Sequence, residues 1–221
     1  MQTMIEDIAK NLFCKYYNFN KINEIKIQDI LSARRIRFTE EYWEVWKNYG
    51  VFFAFVEGFF HVMNGENQLS KIPNNEKYIF QNPRNILKNF KSSVDLVNYL
   101  RKYNIKRMVN IHARNILLAS QKMINEFDGK VPQNLNDLMK FNGYGRKLSN
   151  MLLNLAFDIP RIAVDVRVFR AACNLHLLPA ELCIKHPSSK QLFKAESILN
   201  TYFVNSIYYI EMDFLLFKEG G

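Results

Sequence analysis

Two side chains stand out as able to do chemistry, Lys147 and Asp165, because of what precedes each of them. Lys147 follows Phe141-Asn142-Gly143-Tyr144-Gly145-Arg146, a two-glycine turn leading into an apolar-faced helix through Met151, Leu152, Leu155 and Ala156. A lysine in the first turn of a helix sits near the positive end of the dipole, and Arg146 adds a second positive charge. In a partly dry site both would lower the amine's pKa, while the negative charge of Asp165 would oppose them and leave the net direction open. An amine unprotonated near neutral pH is a nucleophile. Asp165 comes after the apolar Ile162-Ala163-Val164 and heads the next helix, so it is a natural N-cap, ionised and held in a fixed direction. Taken alone, each has a plainer reading: a solvated surface lysine, and a cap with no chemistry.

The turn itself can bind an anion. Glycines on either side of Tyr144 let the backbone bend sharply and remove the side chains that would block another backbone. The helix that begins at about Gly145 aims its first amides and its positive end out of the same turn, which suits a phosphate oxygen. Such a contact grips a nucleic-acid backbone without reading sequence. An isolated Gly-x-Gly is also what a tight helix-to-helix connection needs, and by itself the turn does not choose.

The wider context does. From Val131 to Arg170 the chain reads VPQNLNDLMKFNGYGRKLSNMLLNLAFDIPRIAVDVRVFR, and this resembles the helix-hairpin-helix DNA glycosylase superfamily, most closely its endonuclease III branch. The resemblance is carried by Val131-Pro132, Leu138, Gly143, Gly145, Arg146, Lys147, Asn150, Asn154, Ala163-Val164-Asp165 and Phe169-Arg170, with 18 residues from the lysine to the aspartate. It fades to pattern level over residues 96–126, and nothing aligns before about residue 90. It implies an all-α, two-lobed fold with the active site between the lobes: residues 26–125 as one lobe, 1–25 with 126–221 as the other, and the hairpin at 134–157.

The resemblance also implies a base-excision-repair enzyme acting on double-stranded DNA that holds a damaged base or an abasic site. Lys147 would attack C1′, displace the base and leave a Schiff base whose β-elimination cuts the strand. Asp165 would assist the deprotonation of that lysine and steady positive charge on the sugar. Asn142, Gly143, Tyr144, Gly145 and Arg146 would contact DNA. The implied substrates are oxidised pyrimidines first and 8-oxoguanine second. Two rival readings stay open: a monofunctional glycosylase for alkylated or mismatched bases, and a non-enzymatic DNA-binding hairpin module. Departures from the pattern are Asn142 in place of proline, Tyr144 in place of a small aliphatic residue and Ser149 in place of alanine. Tyr144 has two uses open to it, packing on a sugar or filling core. No counterpart of the family's Leu-Leu-Ser-x-Gln-Thr segment is found, so the residue that fills the gap left by a flipped base is sought among Asn64, Asn67 and Gln68. Asp213 to Gly221 resembles the helix that precedes the four cysteines of cluster-bearing members. No iron–sulfur cluster or other cofactor is therefore expected, although a monovalent cation at the hairpin is compatible with the pattern.

The elements that must position these residues are helical. Apolar residues recur at helical spacing, as in Ile111, Leu117, Leu118 and Ile124, and alternating runs are scarce. Helices are expected at about 3–17, 26–36, 40–63, 83–89, 93–103, 107–126, 134–140, 145–157, 165–177, 189–204 and 206–217. Of the 221 residues 48% are hydrophobic and 14% aromatic, enough for a core without metal or disulfide. The aromatic stretch from Tyr42 to Phe60 reads mostly as core. The formal charge of +9 favours a polyanionic partner. The most apolar run, Val51 to Met63, is 13 residues long and holds Glu57, which sets it well short of a bilayer span and argues against a membrane partner. Four scattered histidines suggest no metal site, and three separated cysteines, Cys14, Cys173 and Cys183, suggest neither a disulfide framework nor export. A monomer is expected, cytoplasmic and nucleoid-associated in a bacterium or archaeon, nuclear in a eukaryote.

Overall fold

The computed structural model describes residues 48–64, 68–157, 159 and 161–203, together with 7, 8, 11 and 15. Every regular element among the described residues is helical. The helices are α1 (Val51–Asn64), α2 (Pro83–Asn89), α3 (Ser93–Lys102), α4 (Val109–Glu126), α5 (Leu135–Leu138), α6 (Arg146–Phe157), α7 (Val166–Asn174) and α8 (Ser189–Phe203). Short 3-10 turns lie at Gln68–Lys71, Lys77–Phe80 and Ala180–Leu182. The helices expected at 26–36 and 206–217 fall outside the described residues, and of 3–17 only four positions are described, all helical.

Local chemistry explains most boundaries. Asn82 caps α2 by accepting from the Asn85 amide, and Pro83 at its first position needs no amide partner. Ser92 and Asp95 form a reciprocal capping box at α3. The single helix expected over 40–63 is interrupted at Gly50, whose φ of +87° takes the backbone into the left-handed region. The helix expected over 165–177 ends sooner, at Asn174. There His176 turns left-handed with φ +55°, and the Leu177 amide reaches back to the Ala172 carbonyl at 2.8 Å.

The chain divides into two compact units, residues 38–152 and residues 1–37 with 153–221. Residues 126–152, assigned to the second lobe on sequence, therefore group with the first. The reason is aromatic packing: Phe55 of α1 stacks on Tyr144 with ring centroids 4.2 Å apart and meets Phe141 edge-on at 5.3 Å. Within this unit α2 and α3 both pack on α4, and Phe53, Phe60, Phe80, Leu96, Leu100 and Ile116 are fully enclosed. The core of the other unit is built from Ile162, Val164, Val168, Phe169, Leu177, Leu182 and Leu199, where α7 packs on α8.

Candidate nucleic-acid interface and nucleophile

The hairpin is built tightly from α5, the turn and α6. Asn134 caps α5 through the Asp137 amide, and successive short-range bonds, Phe141 N–H to the Leu138 carbonyl and Tyr144 N–H to the Phe141 carbonyl, carry the chain round. Gly143 is required on two counts. Its φ is +88°, and a Cβ there would lie 2.7 Å from Nδ2 of Asn115 and 3.2 Å from the Phe59 ring. Gly145 is different: a Cβ would meet nothing within 4 Å, so its open side is free space at the start of α6. That is the geometry which lets an outside backbone approach the positive end of a helix.

Tyr144, expected among the DNA contacts, is a core residue. It is 2% exposed, its hydroxyl donates to the Phe55 carbonyl at 2.8 Å, and its amide is taken by Phe141. Burial pushes its phenol well above the ordinary value, with the nearby Glu57 carboxylate adding to the effect. Of its two expected uses the structure realises the packing one. The ring wedges the turn against α1, where Gly58 leaves room for the hydroxyl. Asn142 is exposed on the turn, whereas Arg146 and Lys147 are half-buried in the first turn of α6. Asn142, Gly143, Gly145, Arg146 and Lys147 are thus brought to one junction of turn and helix.

Asp165 stands in the other unit. It is the N-cap of α7, with Oδ1 accepting the amides of Arg167 at 2.9 Å and Val168 at 3.1 Å. Those bonds fix the direction of the carboxylate, as the sequence position anticipates.

Three features were not visible in the sequence. Glu57, inside the apolar run of α1, is fully buried and receives the amides of Gln68 at 2.7 Å and Leu69 at 2.8 Å. Burial raises its pKa to about 8, opposed by those two amides and by Lys71 and Lys77. Gln68 is buried with it, which removes Gln68 as a residue able to enter a DNA stack; Asn67 lies outside the described residues. Met108 is the opposite case. It is 41% exposed, follows Lys106 and Arg107, and holds φ +50° at the start of α4 with no side-chain cap. A bulky residue rarely accepts that backbone conformation, and an apolar tip presented this way from a basic loop is a marked feature. The third is a pairing: Cys173 and Cys183 are joined as a disulfide, contrary to the expectation of unpaired cysteines. Sequence spacing cannot tell which cysteines meet, and here a helix end and a 3-10 turn bring their Cα atoms to 5.6 Å.

No family model matches the chain. It is similar to endonuclease III of Haemophilus influenzae, 42% identical over 67 residues, which are 30% of this chain and 31% of that protein. The Rickettsia prowazekii and Escherichia coli endonucleases III are each 39% identical, over 70 and 67 residues. The chain thus matches about a third of the length of the curated relatives. Among solved structures, a trapped endonuclease III–DNA covalent intermediate aligns with a TM-score of 0.57 at 18% identity, covering 87% of this chain and 85% of that one. A thermostable thymine-DNA glycosylase aligns at 0.54 and 15% identity, covering 85% and 88%. The chain therefore has the helical fold of endonuclease III and the thymine-DNA glycosylase, and part of its sequence is akin to the former.

Proposed function

We propose that the chain is a helix-hairpin-helix DNA glycosylase of base-excision repair that also cleaves abasic sites, with Lys147 as nucleophile. The observation that carries the reading is the junction at Gly143–Lys147. A lysine stands in the first turn of a helix whose preceding turn leaves the Gly145 backbone open to an approaching phosphate. The partial sequence kinship to endonuclease III supports the same assignment.

In this reading the Lys147 amine forms a bond to C1′ of a flipped deoxynucleotide as the glycosidic bond breaks and the base leaves with a proton. The adduct opens to a Schiff base, loss of a C2′ proton expels the 3′ phosphate, and water later frees the lysine. Asp165 is the carboxylate that steadies positive charge on the sugar, its direction set by the amides of α7. Flipping leaves an unstacked step in the duplex. Met108, apolar, exposed and preceded by two cations, is the residue proposed to fill it among the described ones. Oxidised bases are the proposed substrates, and the work is placed in the compartment that holds the genome.

The test is to incubate the protein with duplexes carrying an abasic site, thymine glycol, dihydrouracil or 8-oxoguanine, with and without borohydride. Strand cleavage together with a covalent, borohydride-dependent complex on an oxidised base supports the bifunctional reading. Base release with no trapped complex would overturn it in favour of a monofunctional enzyme, and binding alone would leave a DNA-holding module.

A further inference from the structure

Helix α7 is tied at both ends. Its first turn is held by Asp165, and its last turn carries Cys173, joined to Cys183 just beyond the 3-10 turn Ala180–Leu182. Both cysteines are half-buried and pack against the core of the unit. The segment between them has other ties to its place besides the bond. Leu177, Leu178 and Leu182 are buried in the core of the unit, and backbone bonds from Leu177 to Ala172 and from Cys183 to Ala180 fix its path. Two thiols released there would stay close together, ready to rejoin.

We propose that Cys173 and Cys183 are a reversible dithiol–disulfide pair that sets how firmly α7 is held, and through it how firmly Asp165 is presented. At nine residues α7 is too short to persist on its own, so it depends on its packing in the core together with the two end anchors. Two contacts of the Asp165 carboxylate are the amides two and three residues into the helix, so opening of the helix removes both. Closing the ring between residues 173 and 183 restricts that opening. In a compartment kept reducing, a protein disulfide is as a rule a transient, sensing one, unlike the permanent bonds of secreted domains. The formation step is exchange with a small disulfide of the glutathione class. One protein thiolate attacks it and expels a thiolate, then the second attacks the mixed disulfide and expels another. Two protein thiols give up two electrons, and one small disulfide becomes two thiols.

The link from helix to catalysis rests on the role of Asp165 proposed above, so the test reads the helix without DNA. The full chain is equilibrated in glutathione buffers of graded oxidised-to-reduced ratio, quenched with a maleimide, weighed and mapped. Hydrogen exchange is then followed at the α7 amides. The expected result is loss of two maleimide additions with rising ratio, a linked peptide containing Cys173 and Cys183, full reversal on reduction, and exchange slowed about fivefold or more in the oxidised form. In Cys173→Ser the exchange should match reduced wild type in every buffer. Labelling of all three cysteines at every ratio would overturn the proposal. So would a bond that uses Cys14, or a Cys173–Cys183 bond that leaves exchange in α7 unchanged. A protein that passes this test but never traps DNA would refute the catalytic reading alone.

Discussion

The hydroxyl of Tyr144 donates to the backbone carbonyl of Phe55 at 2.8 Å, which fastens the middle of the two-glycine turn to the buried helix α1. The consequence is a turn fastened from beneath. Tyr144→Phe keeps the stacked ring but removes that donor from the Phe55 carbonyl, a loss of about 0.5 to 1.5 kcal/mol. Urea denaturation should register that loss, with DNA affinity falling only as far as the turn loosens.

The two glycines of the turn should separate cleanly. Gly143→Ala must hold a side chain at φ +88° and displace Asn115, so it should destabilise the fold by about 1 to 2 kcal/mol. Gly145→Ala meets no neighbour and should fold like wild type while binding duplex DNA more weakly. A Gly145→Ala protein with undiminished affinity would show that phosphate does not approach there.

Glu57 gives stability a pH dependence. Its pKa is raised by burial from 4.5 to about 8, so the folded state keeps a proton that the unfolded state has lost. The associated stability is fully present below about 4.5 and drains away as pH rises through about 8, on the order of a few kcal/mol in all. The urea midpoint should fall between pH 5 and pH 8.5 in wild type and change much less in Glu57→Gln.

Met108 should show stability and activity moving in opposite directions. Met108→Gly relieves the left-handed backbone and should raise stability by about 0.5 to 1 kcal/mol. If Met108 fills the gap left by a flipped base, the same change slows excision from duplex DNA and leaves cleavage of an abasic site in a single strand near wild type. Unchanged excision would remove Met108 from that role.

Much of this architecture was legible in the sequence, and the exceptions share a cause. Helical periodicity located α2, α6 and α8 almost to the residue, since the apolar stripe and the caps are local properties. Gly143 and Gly145 announced the turn, and Asp165 announced a cap. What stayed hidden depends on partners distant along the chain. Glu57 looks like an interruption of an apolar run until Gln68 and Leu69 supply its amides. Tyr144 has both sugar packing and core filling open to it until Phe55, 89 residues away, accepts its hydroxyl. Cys173 and Cys183 are ten residues apart, and between them the chain turns left-handed at His176 and passes through a 3-10 turn before they meet.

The most direct test of the central claim is to find the attacking amine. The protein is reduced with borohydride on an abasic-site duplex, digested with protease and nuclease, and the adduct located by mass spectrometry. The expected adduct is on Lys147, with Lys147→Gln binding the duplex and forming none. An adduct on any other amine, or one that persists in Lys147→Gln, would contradict the assignment.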